Sequence, residues 1–282
     1  MNERCRPSGN DLVRSVFLAA WRAGVRHLWV SQAIALAGPL GLDARSVRTS
    51  LSRLEHQGWL CALRHGRQSR YALTAAAVVD APRQRPLPWN GRWSVVAPVL
   101  RQPRLAAQLQ GAGCRQLIAG LYVRPSGDTA ALAALVLAHA PHARTLVFDA
   151  DGIAGLDPAE LAPLVSAAWD LTATAALYAA FIARCERAQQ DAAGAPARLC
   201  FTLRALLLHD WRRACAADAR LPAALLPPDW PAGRARQLHQ RVDKLLRAGA
   251  NAFVDSIVAK PCDNACFPTM RPDPGDAHCP AQ

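Results

Sequence analysis

The chain has 282 residues, enough for two or three domains, and 51% of them are hydrophobic, which excludes a disordered polymer. Its formal charge of +12 is uneven: residues 1–85 hold 13 Arg, no Lys and 5 acids, a balance of +8, while the other 20 basic and 16 acidic side chains leave +4. A basic first third on a nearly balanced body is the footprint of a nucleic-acid module joined to a sensing or assembly body, and the longest apolar run, 171–183, is too short to span a bilayer and contains Thr172 and Thr174.

Leu12, Val16, Phe17, Ala20 and Trp21 recur at helical spacing and predict a first helix. Trp29-Val30 reads as a short extended piece, and Ser31 as the cap of a second helix running to about Leu40. Gly41-Leu42-Asp43 marks the start of a third, with Asp43 as its cap, and Gly58 marks its end. Between them Val47, Leu51 and Leu54 share one apolar face. The opposite face then displays Arg45, Arg48, Thr49, Ser52 and Arg53, with Ser46 beside them. Arginines and small hydroxyl residues reach phosphates, base edges and thymine methyls when such a helix lies in a major groove. A merely solvated face would mix Glu with Lys, and here only Glu55 is acidic.

After Gly58, Trp59, Cys61 and Leu63 alternate with small or polar residues, as do Tyr71 and Leu73 beyond the turn at His65-Gly66, so two short strands form a hairpin. Its tip carries Arg64, Arg67, Ser69 and Arg70, placed to follow a phosphate backbone or enter a minor groove. Three helices and a hairpin make a winged helix-turn-helix over residues 10–80.

Residues 81–91 are a Pro-rich linker. The order that follows is strand 93–99, helix 102–110, one or two strands within 115–124, helix 130–138 and strand 144–149, the βαββαβ plan of a ferredoxin-like domain over 92–152. Residues 157–258 read as an all-helical domain, with Asp157 capping a first helix that has Pro158 at its first position. Further helices are expected at 171–187, 197–217 and 233–258, and the prolines of 218–231 predict a rigid extended connection between the last two. The expected fold class is therefore α+β and multidomain. Nine Cys at scattered spacing suit small buried hydrophobes better than disulfides. Cys262, Cys266, His278 and Cys279 have zinc-ligand chemistry, but their irregular spacing in a Pro-rich segment makes 259–282 a disordered tail and no metal is assigned.

Taken together, these residues resemble the PaaX family of repressors of phenylacetate catabolism, from about Leu12 to Val254. The segment 41–54 with Gly58-Trp59-Leu60 and Gly66-Arg67 is similar to the family's recognition helix and wing. Gly120-Leu121-Tyr122-Val123-Arg124-Pro125 is similar to its central strand, and Trp169-Asp170-Leu171 with Tyr178 and Phe181 to its helical signature. The most specific likeness is Leu208-His209-Asp210-Trp211-Arg212-Arg213 followed by Arg220-Leu221-Pro222 and 225–230. The resemblance implies a homodimer that binds double-stranded operator DNA and releases it on binding phenylacetyl-CoA or a related acyl-CoA. CoA is a polyanion with an adenine, so Arg204, His209, Arg212 and Trp230 become candidate effector contacts; the alternative is that His209, Arg212 and Trp230 fix the helical body.

Two enzyme classes are weighed against this. A metal-dependent nuclease built on a ferredoxin-like domain needs an acidic ligand near the end of its first strand, and residues 95–99 offer none. An acyl-CoA-processing enzyme needs a nucleophile elbow or Gly-rich phosphate loop, and neither motif occurs. Asp149 and Asp151, the notable paired carboxylates, read as a solvated turn. The expectation is a non-enzymatic regulator without cofactor, cytoplasmic because no secretion leader opens the chain, and without a membrane partner.

Overall fold

The computed structural model describes residues 7–65, 68–79, 89–98, 103–126, 128–139, 144–151 and 158–259, a mixed α+β chain with two small separate sheets. Two compact units arise that are not consecutive in sequence. One comprises the described parts of 7–79, 179–213 and 233–259, the other those of 89–178 and 214–232. The helical stretch 157–258, expected as a domain of its own, contributes to both.

The first unit begins with α1 (Gly9–Arg22), whose Ser8 cap accepts from the Asp11 amide at 3.2 Å and which buries Leu12, Val13, Val16, Phe17 and Ala20. Strand β1 (His27–Trp29) leads into α2 (Val30–Ala37). That helix starts one residue before Ser31: Trp29 occupies the cap position and its amide donates to Gln32 Oε1 at 3.0 Å, so a glutamine reaching back does the work expected of the serine. A 3-10 turn, Gly38–Leu40, ends at Gly41, whose φ of 82° suits glycine. Then come α3 (Ala44–His56), β2 (Leu60–His65) and β3 (Gln68–Leu73). Strand β1 pairs with β3, so the sheet has three antiparallel strands in the order β1-β3-β2 and not the two of the expected hairpin. Three residues are too few to reveal a strand by alternation. A short α4 (Ala75–Val79) was also not expected; Thr74 Oγ1 accepts from Ala77 N at 3.3 Å and donates to Gly58 O at 2.8 Å.

In the second unit β4 (Trp93–Pro98), α5 (Pro103–Gly111), β5 (Arg115–Ile118), β6 (Leu121–Arg124), α6 (Thr129–His139) and β7 (Thr145–Ala150) build an antiparallel sheet of order β5-β6-β4-β7. Its central β4 is apolar along most of its length because both faces are covered. Trp93 and Val95 pack with Val123, Val165, Trp169 and Leu221, while Val96 packs with Leu105, Leu109, Leu132 and Val136. The first of those faces is closed by α7 (Pro158–Ala168) and the start of α8 (Leu171–Asp191). Between the two helices Asp170 has φ 48°, a left-handed conformation that ends α7; its Oδ1 accepts from Ala173 N at 3.3 Å and so caps α8. A matching device governs 218–231. Asp218 accepts from Tyr178 Oη at 2.7 Å and from Arg220 N at 2.8 Å, which holds Arg220 at φ 54° and lets Leu221 bury. That connection is thus not uniformly extended, and it includes a 3-10 turn, Ala223–Leu225.

The rest of the first unit is built by the second half of α8, by α9 (Ala197–Ala217) up to Arg213 and by α10 (Ala232–Val258) from Gly233, which bury Phe181, Phe201, Leu208, Trp211, Val242, Leu246 and Val254. Among the described residues no single helix is long and apolar enough to cross a membrane. The linker 81–88 and the tail 260–282, with Cys262, Cys266, His278 and Cys279, lie outside the described residues.

Helices α9 and α10 pack closely at Gly249. A Cβ placed there would lie 2.7 Å from Cys200 Sγ and 3.0 Å from its Cβ. Gly249→Ala is therefore expected to destabilise the protein by about 1–2 kcal/mol despite alanine's better helix propensity, and Cys200→Ala to recover part of that loss in the double variant. Urea-unfolding midpoints test this; a G249A protein as stable as the parent would refute the tight crossing.

Candidate nucleic-acid interface

The geometry of α3 follows from its ends. Asp43 Oδ1 accepts from the Ser46 amide at 2.7 Å, and this bond holds the Asp43 carboxyl below its ordinary range. At the other end Gly58 takes φ 70°, its amide donates to Glu55 O at 2.9 Å and the Trp59 amide to Leu54 O at 2.8 Å. This pair of bonds is a Schellman motif, and it turns the chain directly from helix into hairpin. Val47, Leu51 and Leu54 are fully buried, which orients everything else on the helix.

Arg45, Ser46, Arg48, Thr49, Ser52 and Arg53 are all exposed. Thr49 Oγ1 donates to Arg45 O at 3.0 Å. Arg45, Arg48 and Arg53 form no ion pair with another described residue. On the hairpin, Arg64 is exposed and stands opposite Ser69, and Arg70 stands opposite Leu63; Ser69 and Arg70 are half-buried. Arg67 and Gly66 lie outside the described residues. The fully buried hairpin positions are Leu60 and Ala72, of opposite parity to the Trp59, Cys61, Leu63 set that alternation singled out. The reason is visible at Trp59, whose outward ring is covered by two guanidiniums: the Arg14 Cζ lies 4.3 Å and the Arg212 Cζ 4.8 Å from its centroid. Arg14 also donates to Gln57 Oε1 at 3.0 Å.

The four candidate effector residues are divided between the two units. Trp230 belongs to the second unit, edge-on to Tyr178 at 6.1 Å. In the first unit Arg212 covers Trp59. His209 is half-buried, and burial lowers its pKa. Arg204 is buried: its Nε donates to Asp243 Oδ1 at 2.8 Å and its Nη1 to Asn251 Oδ1 at 3.1 Å. Asp243 is a hub, since Arg247 also donates to its Oδ2 at 2.9 Å and Arg22 lies 4.0 Å from its Oδ1. Burial pushes the Asp243 carboxyl up, but the hydrogen bonds from Arg204 and Arg247 outweigh this and hold it below its ordinary value. Beside the hub, His239 stacks on Trp211 at 4.8 Å and meets Phe181 edge-on at 5.7 Å. Burial first, and then the Arg22 charge, push its pKa from 6.5 to about 4.

Apart from Arg204, the sequence reading missed this polar group, although a signal existed. His239, Asp243, Arg247 and Asn251 repeat every four residues beside the buried row Leu238, Val242 and Leu246, a polar stripe placed next to an apolar one on the same helix. In the second unit Asp149 and Asp151 both pair with Arg92, Asp151 at 3.1 Å, so these carboxylates are held as an ion-paired turn. Among the described residues no group of three or more His, Cys, Asp or Glu could hold a metal ion.

The family model for PaaX-like protein matches residues 8–77, and that for the PaaX-like protein C-terminal domain matches residues 169–256. The transcriptional repressor PaaX of Escherichia coli (strain K12) is 30% identical over 262 residues, which span 88% of this chain and 83% of that one. The chain belongs to the PaaX-like family. The solved structure of uncharacterized protein Rv0674 from Mycobacterium tuberculosis shares its fold, with a TM-score of 0.51 and 21% identity over 86% of this chain and 96% of that one. The first family match contains α3 and the described part of the hairpin, and the second contains the Arg184–Asp210 ion pair, the Trp211–His239 stack and Arg212.

Because the folded pKa of His239 lies below its unfolded value, the unfolded chain takes up the proton first as pH falls. Its contribution to stability is thus intact above pH 6.5 and lost on the way down to about 4, and His209 acts in the same direction. Asp210, whose pKa burial raises, opposes this only at carboxylate pH. Urea-unfolding stability is expected to fall by about 2 kcal/mol between pH 7 and 5, and His239→Phe, which keeps the stack on Trp211, to flatten the fall. An equally steep profile in H239F would disprove the assignment.

Proposed function

We propose that the chain is a winged helix-turn-helix transcriptional repressor that binds double-stranded operator DNA and is released by an acyl-CoA thioester, phenylacetyl-CoA or a related one. The observation that carries this reading is the outer face of α3. Its exposed arginines and small hydroxyl residues project from a helix fixed by a buried apolar row, with a basic hairpin immediately behind it. The helix, hairpin and sheet order of the first unit support a winged helix, and the antiparallel order β5-β6-β4-β7 with a helix after each of β4 and β6 supports a ferredoxin-like central domain. The 30% identity to a transcriptional repressor supports repression over activation and a regulator over an enzyme.

In this reading Arg45, Ser46, Arg48, Thr49, Ser52 and Arg53 contact the major groove. Arg64, Arg67, Ser69 and Arg70 follow the phosphate backbone beside it. A homodimer presents two such modules to two half-sites. Edge strand β7, which among the described residues pairs only with β4 and exposes Leu146 and Phe148, supports an association of copies through the second unit. The effector, with Arg204, His209, Arg212 and Trp230 as candidate contacts, needs to prefer the DNA-incompetent state by only about 1–3 kcal/mol for roughly 5- to 150-fold release. A regulator tuned to a different acyl-CoA is the second reading, since nothing in α3 or the hairpin selects the acyl group.

The experiment is fluorescence anisotropy of the purified protein on its own promoter-region DNA, at fixed salt, with and without phenylacetyl-CoA. Release by phenylacetyl-CoA, and not by phenylacetate or free CoA, is expected. Arg48→Ala with Arg53→Ala should weaken binding by roughly 100-fold without shifting thermal unfolding, and should flatten the salt dependence by up to about 0.9 for each phosphate no longer neutralised. Unchanged affinity in that double variant would remove the recognition-helix assignment. Sedimentation velocity is expected to show a dimer that Leu146→Lys with Phe148→Lys dissociates; a monomeric parent protein would exclude the two-module geometry.

A further inference from the structure

Within the first unit, a cavity of about 590 Å³ opens where the end of α1 meets α9 and α10. That volume lies within the roughly 300–1,000 Å³ of small-molecule sites, but this cavity is not apolar. Arg22 and Arg26 enter it from α1 and the turn after it, Arg204 from α9, and His239, Asp243 and Arg247 from α10. Four guanidiniums therefore face one carboxylate. Asp243 offsets one of the four charges and orients Arg204 and Arg247 through hydrogen bonds, which leaves an excess of three positive charges around a concave space. Arg204 is 5% exposed and cannot swing away to water, so the base of the cavity is rigid. At its mouth Arg26 lies over the Trp21 ring, its Cζ 4.7 Å from the centroid, giving the site an aromatic and guanidinium surface beside the charges. His239, held neutral by burial and by Arg22, adds a ring nitrogen that can donate or accept without adding charge.

We propose that this cavity binds a small organic phosphate carrying at least two phosphoryl groups, with Arg22, Arg26 and Arg247 on the phosphates and Arg204 and Asp243 as the fixed base. Guanidinium forks match phosphate oxygens two at a time, and three of them converging from separate elements suit a polyphosphate better than a single carboxylate. A concave site of this size admits a mononucleotide-like ligand and not a duplex, whose phosphates lie on a convex surface. The position also gives the site a regulatory reach. Arg22 ends α1, the helix that carries Arg14 to the Trp59 ring, and α9 carries both Arg204 in the cavity and Arg212 on that ring. Occupancy would thus bear on both supports of the hairpin at once. This regulatory part rests on the acyl-CoA reading above, with the 3′-phospho-ADP portion of the thioester as the portion seated here; binding alone does not need that reading.

The test uses the full-length protein and isothermal titration with CoA, with pyrophosphate as competitor, on the parent and on Arg26→Gln with Arg247→Gln, two changes at the cavity mouth. CoA is expected to bind the parent, to be displaced by pyrophosphate, and to bind the double variant about tenfold or more weakly, the loss of one charge-assisted hydrogen bond or more. Equal CoA affinity in both proteins, or no binding of CoA or pyrophosphate to the parent, would overturn the proposal. Operator anisotropy separates it from the wider functional reading. If phenylacetyl-CoA releases DNA equally from parent and variant, the cavity is not the site and the effector reading survives. If CoA binding is lost in the variant while phenylacetyl-CoA releases DNA from neither protein, the cavity stands and the effector reading falls. Weaker operator binding by the variant with no change in CoA affinity would assign these arginines to DNA and overturn the pocket.

Discussion

Much of the first unit depends on what covers the Trp59 ring. The ring leaves α3 immediately after the helix terminates, so its position fixes the direction in which the hairpin departs. Arg14 of α1 and Arg212 of α9 both lie over it. Each contact is worth only about 0.5–1 kcal/mol on an exposed ring. Their importance is geometric: one residue at the junction of helix and hairpin is held by two helices that are about 200 residues apart in sequence. Two like charges over one ring are tolerable because Arg14 is also bonded to Gln57 and lies 3.7 Å from Asp11.

Around that junction the unit divides its chemistry. The exposed side of α3 carries arginines with no ion-pair partner among the described residues, a state that leaves their donors available to an outside anion. In the same unit, Asp243 gathers Arg204, Arg247 and Arg22 into a cluster in which one carboxylate orients several guanidiniums and leaves an excess of positive charge. A buried carboxylate with several guanidinium partners is tolerated when each partner donates well, and removing it would leave uncompensated positive charge in a part-buried site. His239, stacked on Trp211, lines the same cavity, so the acid sensitivity of the fold and the basic cavity share a residue.

Much of the local structure was legible in the sequence because it rests on local signals. Asp43 and Gly58 bracket α3 by capping chemistry, and Val47, Leu51 and Leu54 declare its inner face by period alone. In the second unit the apolar run of β4 and the spacing of its neighbours predicted strands and helices close to those observed. What was not legible depends on distant partners. β1 is a strand only because β3 lies beside it, and the parity of the hairpin inverts because Arg14 and Arg212 cover Trp59 from outside the local pattern. Asp170 and Arg220 adopt left-handed backbones that no propensity favours; each is stabilised by an aspartate bond whose acceptor or donor must already be in place. The grouping of the helices after residue 157 into two units is likewise a property of tertiary contacts, to which hydrophobic period is blind. The cavity arginines come from three separate segments, and only the stripe on α10 left a trace in the sequence.

The basic residues of α3 and the hairpin are all arginine or histidine. Lysine occurs in the whole chain only at positions 244 and 260. Acetyl transfer and other chemistry directed at side-chain amines thus find no substrate on the exposed face of α3 or on the hairpin. Covalent silencing by lysine acetylation, open to many basic surfaces, is closed to this one. Amine-reactive dyes attached at Lys244 will likewise leave the basic face of α3 chemically intact.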